Sequence, residues 1–386
     1  MGSFYQYYER VIHLKVCHLT SVHPTEDIRI FVKECSYLSE AGFDVNLIVG
    51  NSESYVKNGV NIVGAPVEST NRYVRMINGP RSVYQKALEL DADVYHFHDP
   101  ELLPIGLLLK SKGKKVIYDV HEDVPQQVLS KQWIPKPLRK LVSRMVEGLE
   151  RFASKRFDAV VTATPTINER FLTYQQNSVI IHNFPIMNEL IGEDSADVTR
   201  EMNRNKIVYI GGITRLRGIE EMVRSMDELN QESDHPITLH LAGAFAPASL
   251  QDEMEKLDGW KHVNFEGYLN RQEVASLLNT SYAGLVILHP EPRYIVSYPI
   301  KLFEYMSAGM PVIASDFPLW RGIVEDAECG ICVDPLDPIA IADAVKYLVD
   351  HPDEARAMGE SGRRAVMNKY NWEQESIRLV ELYNNL

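Results

Sequence analysis

Short apolar runs alternate along the chain with longer stretches in which apolar residues recur every three or four positions. Val16-Cys17-His18-Leu19 is followed by the helical pattern Ile28 to Ala41 and then by Val45-Asn46-Leu47-Ile48-Val49. The alternation continues through Val94 to Phe97, Val116 to Tyr118, Ala159 to Val161 and Val179 to Ile181. Unbroken apolar runs of this length between amphipathic helices are what strands covered on both faces of a parallel sheet require. The pattern predicts a doubly wound α/β sheet.

The rhythm stops between Pro185 and Arg204, where Asn, Asp, Glu, Ser and Gly outnumber apolar residues, and this stretch reads as a linker. A second series then begins at Ile207 to Ile210 and runs through Thr238 to Leu241, Val263 to Phe265, Gly284 to Leu288, Pro311 to Ala314 and Ile331 to Val333. Asp337-Pro338 starts a helix, with Asp at the N-cap and Pro at the first helical position. Two α/β domains are expected, residues 1–190 and 200–370, which suits a chain of 386 residues.

Composition narrows the classes. Met1 to Leu14 mixes charged residues with apolar ones, so it reads as neither a signal-peptide core nor a spanning helix, and a cytoplasmic location is expected. A formal net charge of -13 argues against a general nucleic-acid binder, which needs clustered Lys and Arg. Cys329 and Cys332 are the one close cysteine pair; with no second pair or histidines at ligand spacing, they read as small residues around a turn.

In an open α/β sheet ligands sit beyond the carboxyl ends of the strands, so the residues just after each strand carry the chemistry. After Ile210 comes Gly211-Gly212-Ile213-Thr214-Arg215-Leu216-Arg217-Gly218 and then a helix. Glycines admit a ligand to the backbone, a helix N-terminus favours anions and Arg forks onto phosphate oxygens, so this loop is a diphosphate cradle or a plain turn with solvated charges. Neither dinucleotide nor P-loop fingerprints occur, which disfavours a nicotinamide-dependent dehydrogenase. Tyr298 to Ser315 reads as a short helix carrying Lys301 and Glu304, stopped at Gly309 and followed by a buried strand. A carboxylate so placed can accept both hydroxyls of a ribose.

At this segment the chain resembles family 4 of the retaining glycosyltransferases, of GT-B fold: two Rossmann-like domains facing across a cleft. The carrying residues are Glu304 to Ser315, with Gly309-Met310-Pro311-Val312-Ile313-Ala314 at their centre. Val16 to Thr20 with His23-Pro24 and Arg29, Asp93 to Asp99, Tyr118 to Glu122, Leu241-Ala242-Gly243 and Phe265 to Leu269 resemble further strands and loops, so the likeness covers nearly the whole chain. It implies that Glu304 holds the ribose and that Arg217 takes the place of the diphosphate-binding lysine. It also implies that Gly267, Tyr268 and Leu269 border the base, and that His121 lies near the reacting bond. Gly211, Gly212, Arg215, Ser297, Tyr298, Ile300 and Lys301 are the remaining donor-side candidates, and Asp27, Arg29, His98 and Asp99 the acceptor-side ones. Residues 371–386, with the helix Trp372 to Asn384, are expected to return to the first domain.

Two positions depart from the family pattern: its first glutamate falls on Val296 and its phosphate-site arginine on Gly212. Lys301, one helical turn before Glu304, is the first choice to supply the missing charge, ahead of Arg215.

The implied reaction is transfer from a nucleoside diphosphate sugar, UDP-linked, to a hydroxyl of a glycan or lipid-linked saccharide, with retention and without a metal or other cofactor. A sugar-nucleotide epimerase and an inactive nucleotide-sugar-binding scaffold are the alternatives. Asp91-Ala92-Asp93 leads into a strand, at the wrong end for a ligand metal, and His96 with His98 reads as a core pair rather than a metal site. Lys131 to Arg156 holds eight Lys or Arg against Glu147 and Glu150. Its apolar stripe, Leu138, Leu141, Val142, Met145, Val146, Leu149 and Phe152, reads as core, and its excess charge as a contact with anionic lipid or a phosphate-bearing acceptor.

Overall fold

The computed structural model describes residues 14–66, 72–130, 134–187, 189, 203–231 and 236–386. The chain forms two compact units, one running to Asn183 and taking back Gln374–Leu386, the other Phe184–Glu373. Most of the polar stretch between them, and the residues before Leu14, lie outside the described residues.

The first unit holds an eight-stranded sheet. Its strands are β1 (Lys15–Thr20), β2 (Asp44–Gly50), β3 (Tyr55–Lys57), β4 (Val60–Ala65), β5 (Val94–Phe97), β6 (Lys115–Val120), β7 (Ala159–Thr162) and β8 (Ser178–Ile180). The order is β3-β4-β2-β1-β5-β6-β7-β8, all neighbours parallel except the antiparallel β3–β4 edge. Strand order reverses between β1 and β5, where His18 lies opposite His96 in register. That switch point is where an open sheet leaves a crevice. Val16, Cys17, Leu19, Phe97, Val116 and Ile117 are fully buried, as strands covered on both faces demand.

The periodic segment Ile28 to Ala41 is a helix of two kinds, π-helical over Ile28–Cys35 and α-helical over Ser36–Glu40. Single π turns concentrate at functional sites because the wider turn re-aims side chains. Here Arg29, Lys33 and Glu34 are all buried.

The second unit is a six-stranded, wholly parallel sheet of β9 (Asn203–Ile210), β10 (Thr238–Ala242), β11 (Val263–Gly267), β12 (Ser281–Val286), β13 (Val312–Ser315) and β14 (Gly330–Val333). The order β11-β10-β9-β12-β13-β14 is the Rossmann arrangement, with its switch point between β9 and β12. Asp337 caps the helix Pro338–Asp350 by accepting from the amides of Ile339 and Ala340. Cys329 is buried and Cys332 half-buried on β14, both free.

One expectation is overturned. In the helix Lys136–Ser154 the apolar stripe is not core: Leu138, Leu141, Met145, Leu149 and Phe152 are exposed, Met145 to 66%. The buried face carries Ser143, Glu150, Ala153 and Ser154 instead, centred about 140° round the helix at about 100° per residue. The cause is specific pairing. Glu150 accepts from the Tyr118 hydroxyl at 3.1 Å and from Arg170 at 2.8 Å, and Ser143 donates to the carbonyl of Pro125 at 2.8 Å.

Candidate functional site

The loop after β9 is built on close backbone approach. Gly211 has φ +127° and Gly243 φ +144°, and a Cβ on Gly243 would stand 1.9 Å from the carbonyl oxygen of Gly211. Only glycine allows the two strand ends to meet this closely. Lys301, on the helix Ile300–Ser307, lies beneath the loop. Its Nζ is buried 3.6 Å above the Tyr209 ring, near Gly211 and Arg217, and makes no hydrogen bond. Burial, and then the Arg217 charge, holds its pKa well below the usual lysine value. Arg217 donates to the carbonyl of Gly212 at 3.3 Å. Arg215 is turned away and paired with Glu220 and Glu253. Two basic groups, one without a hydrogen bond, thus converge on a glycine loop, an arrangement that calls for an anion.

One turn along the same helix, Glu304 accepts from Arg271 at 2.8 Å, and Arg271 also forks onto Glu189 at 2.9 and 2.7 Å. Sequence reading missed Arg271 and Glu189. A signal existed for the first: Asn270 and Glu273 form a reciprocal capping box that fixes Arg271 as the opening residue of the helix Arg271–Thr280. Gly267 has φ +68°, Tyr268 is 85% exposed and Leu269 packs partly into the core. Ser297 accepts from the Trp320 indole at 2.7 Å, Tyr298 stacks on Phe303, and Ile300 opens the helix, partly exposed. Val296 is exposed and brings no charge to this site.

In the first unit the candidates gather around the switch point. Asp119, at the end of β6, accepts two hydrogen bonds from Arg29 at 2.9 and 2.7 Å and one from His98 Nδ1 at 2.9 Å. Its burial is outweighed by the Arg29 charge and hydrogen bonds, which hold the carboxyl well below its usual range. His121 Nδ1 stands 3.5 Å from the same carboxylate. Asp99 accepts from the Thr20 hydroxyl and the Ser21 amide at 2.9 and 2.5 Å. His23 lies 3.3 Å from both Asp99 and Asp27. Against the cost of burial, the His23 hydrogen bond and the Ile30 amide lower the Asp27 carboxyl to about 2.

The ionised Asp119 can only accept, so His98 carries its proton on Nδ1 and leaves Nε2 bare. That fixes a chain. His18 Nδ1 donates to His98 Nε2 at 3.0 Å, Tyr383 donates its hydroxyl proton to His18 Nε2 at 3.1 Å, and His96 Nδ1 donates to the Tyr383 oxygen at 2.8 Å. Burial lowers the pKa of all three histidines, consistent with neutral rings. His18, Glu34 and Tyr383 were not foreseen. Their convergence depends on strand register and on the final helix packing back, neither of which local sequence encodes.

The sequence profile of the Glycosyltransferase Family 4 matches residues 30–184, and that of the Glycosyl transferases group 1 matches residues 191–365. The chain belongs to glycosyltransferase family 4. It is 23% identical over 303 residues to the MMP alpha-(1->4)-mannosyltransferase of Mycolicibacterium hassiacum, covering 76% of this chain and 70% of that one. It is 25% identical over 298 residues to the D-rhamnosyltransferase WbpZ of Pseudomonas aeruginosa, covering 72% and 71%. The crystal structure of HepE from Anabaena, in complex with UDP-glucose, superposes with a TM-score of 0.72 at 14% identity over 97% of this chain and all of that one. The fold is GT-B, and the protein is a glycosyltransferase that uses a nucleotide-sugar donor and a glycan acceptor. None of the described helices is long and apolar enough to cross a membrane.

Proposed function

We propose that this family 4 enzyme transfers a glycosyl group, with retention, from a UDP-sugar to a hydroxyl of a growing polysaccharide or lipid-linked saccharide. The observation that carries the reading is the buried Lys301 amine, without a hydrogen bond, beside Gly211 and Arg217, with Glu304 one turn beyond. The spacing suits a diphosphate followed by a ribose. The bond from C1 to the leaving phosphate oxygen breaks as the acceptor oxygen bonds to C1 on the same face, and the acceptor proton passes to that phosphate. Arg217 and Lys301 stabilise the charge that builds on the diphosphate, so the donor side needs no resident cofactor. Glu304 accepts the ribose hydroxyls once Arg271 yields one of its two partners. His121, beside Asp119, is assigned to the transferred sugar, and Asp27, Arg29, His98 and Asp99 shape the acceptor side.

Support for UDP comes from the HepE complex, and for glycosyl transfer from the named activities of the two relatives, a mannosyltransferase and a rhamnosyltransferase. We also propose a peripheral position at an anionic membrane. The exposed apolar stripe of the helix Lys136–Ser154 is flanked by Lys136, Arg139, Lys140, Arg144 and Arg151 on a chain of net charge -13.

The decisive experiment is a thermal-shift panel of UDP, GDP, ADP and their sugars, since a ligand of the native state raises its apparent stability. UDP and UDP-sugars are expected to shift the transition. Glu304→Ala should weaken UDP and UDP-sugar alike by about tenfold, because one charged acceptor is lost to both. Unaltered UDP affinity in that variant would remove Glu304 from the ribose.

A further inference from the structure

We propose that His18, Glu34, His96 and His98 form a closed zinc site inside the first unit, separate from the donor chemistry. All four side chains are fully buried, and one ligand atom from each lies within 4.8 Å of the other three. Glu34 Oε2 stands 3.8 Å from His18 Nδ1, 3.9 Å from His96 Nδ1 and 4.0 Å from His98 Nε2. His18 Nδ1 and His98 Nε2 are 3.0 Å apart. Zinc bonded tetrahedrally to nitrogen and oxygen at about 2.0–2.1 Å places its ligand atoms about 3.3 Å from one another. Those four separations bracket that edge and no pair exceeds 4.8 Å, so an ion at the centre is reached by the ligands closing in on it.

Two further observations point to an ion. Both oxygens of Glu34 lack a hydrogen bond, although the imidazole chain around them closes. Oε1 has the Arg29 guanidinium at 3.2 Å, and Oε2 faces three histidine nitrogens. A buried carboxylate oxygen aimed at three neutral imidazoles is costly unless a proton or a cation sits between them. The outer contacts are also those of a metal site. His98 donates its other nitrogen to Asp119, the carboxylate–histidine pairing that orients metal ligands, and His18 has Tyr383 on its other nitrogen.

Three imidazoles and one carboxylate select zinc over magnesium or calcium, which require mostly oxygen ligands. Four protein ligands leave no open position, so the ion would be structural. It would tie β1 and β5 to the π turn. On binding, the proton of the Glu34 carboxyl leaves to solvent, and the protons on His18 Nδ1 and His96 Nδ1 move to Nε2 of their own rings, where that of His18 faces the Tyr383 oxygen.

The competing reading is a protonated Glu34 with no metal, and Glu34→Gln separates the two, because Gln mimics the neutral acid but not the ligand. The full chain, purified without chelators or a histidine tag, is assayed by inductively coupled plasma mass spectrometry. It is also refolded with cobalt(II) alone and read by visible absorption. The wild type should carry about one zinc per chain, and cobalt should give the visible bands of a tetrahedral site. Zinc content in Glu34→Gln and His96→Gln should fall by more than about tenfold, and Glu34→Gln should melt below wild type. A wild type that holds no zinc and gives no cobalt bands, or a Glu34→Gln variant as stable as wild type, overturns the proposal. Should His96→Gln fail to fold, the cobalt spectrum of the wild type decides alone.

Discussion

In the proposed donor site a single residue, Lys301, carries much of the anion binding. In the free protein its ammonium is disfavoured by burial and by Arg217, and an arriving diphosphate supplies the missing counter-charge. Binding therefore raises the pKa of Lys301 and draws a proton from solution. The sign follows: affinity is greatest below the pKa of the free enzyme and declines as pH rises above it. Calorimetry of UDP binding in buffers of different ionisation heat should show uptake of up to one proton, and Lys301→Met should show none; equal proton uptake in both forms would assign it elsewhere. In the proposed reaction Arg217 acts later, as charge develops on the leaving group. Arg217→Ala should lower kcat by about a hundredfold or more with a smaller change in donor affinity. Weakened donor binding with normal turnover would restrict Arg217 to the ground state. Glu304 was legible as a candidate ribose acceptor because a glutamate on a short helix, ahead of a glycine stop and a buried strand, is a local pattern. The contact Arg271 makes with it was hidden, because it spans 33 residues.

At the scale of elements, the helix Lys136–Ser154 shows how far periodicity can mislead. Period 3.6 identifies an amphipathic helix but not which face the protein covers. Buried polar pairs to Glu150 and Ser143 turn this one so that its oily stripe meets solvent between basic side chains. Changing Arg139, Lys140 and Arg144 to Gln should release the protein from anionic vesicles, each charge contributing on the order of 1 kcal/mol. UDP binding by the second unit should be unaffected, and neutral vesicles should retain neither form well. A wild-type protein that ignores anionic vesicles at low salt ends the membrane reading. The π turn Ile28–Cys35 is the opposite case, since its apolar spacing reads as an ordinary helix while the wider turn buries Arg29, Lys33 and Glu34 together.

Across the whole molecule, the last helix links sequence positions that no local rule joins. Tyr383 reaches His18 and His96 across 365 and 287 residues, and Glu375 holds the His182 amide at 2.9 Å. Deleting Gln374–Leu386 should therefore strip amide-exchange protection from β1 and β5 and leave β9 to β14 protected. Protection lost equally in both sheets would mean that the helix braces more than the first unit.

The sequence by itself determined the two parallel-sheet domains, because strands covered on both faces must be apolar throughout, and the helices between them must show their own period. It also determined the glycine loop and the Lys301–Glu304 helix, because close approach, helix stops and i,i+3 spacing are properties of neighbours along the chain. Only the tertiary structure decided that Lys301 and not Arg215 stands beside Gly211, that Arg271 occupies Glu304, and that His18, Glu34, His96 and His98 share one buried space. Those facts follow from strand register, from which helix face is covered and from the path of the final helix. Each is fixed by contacts between residues far apart in sequence, which no local pattern can encode.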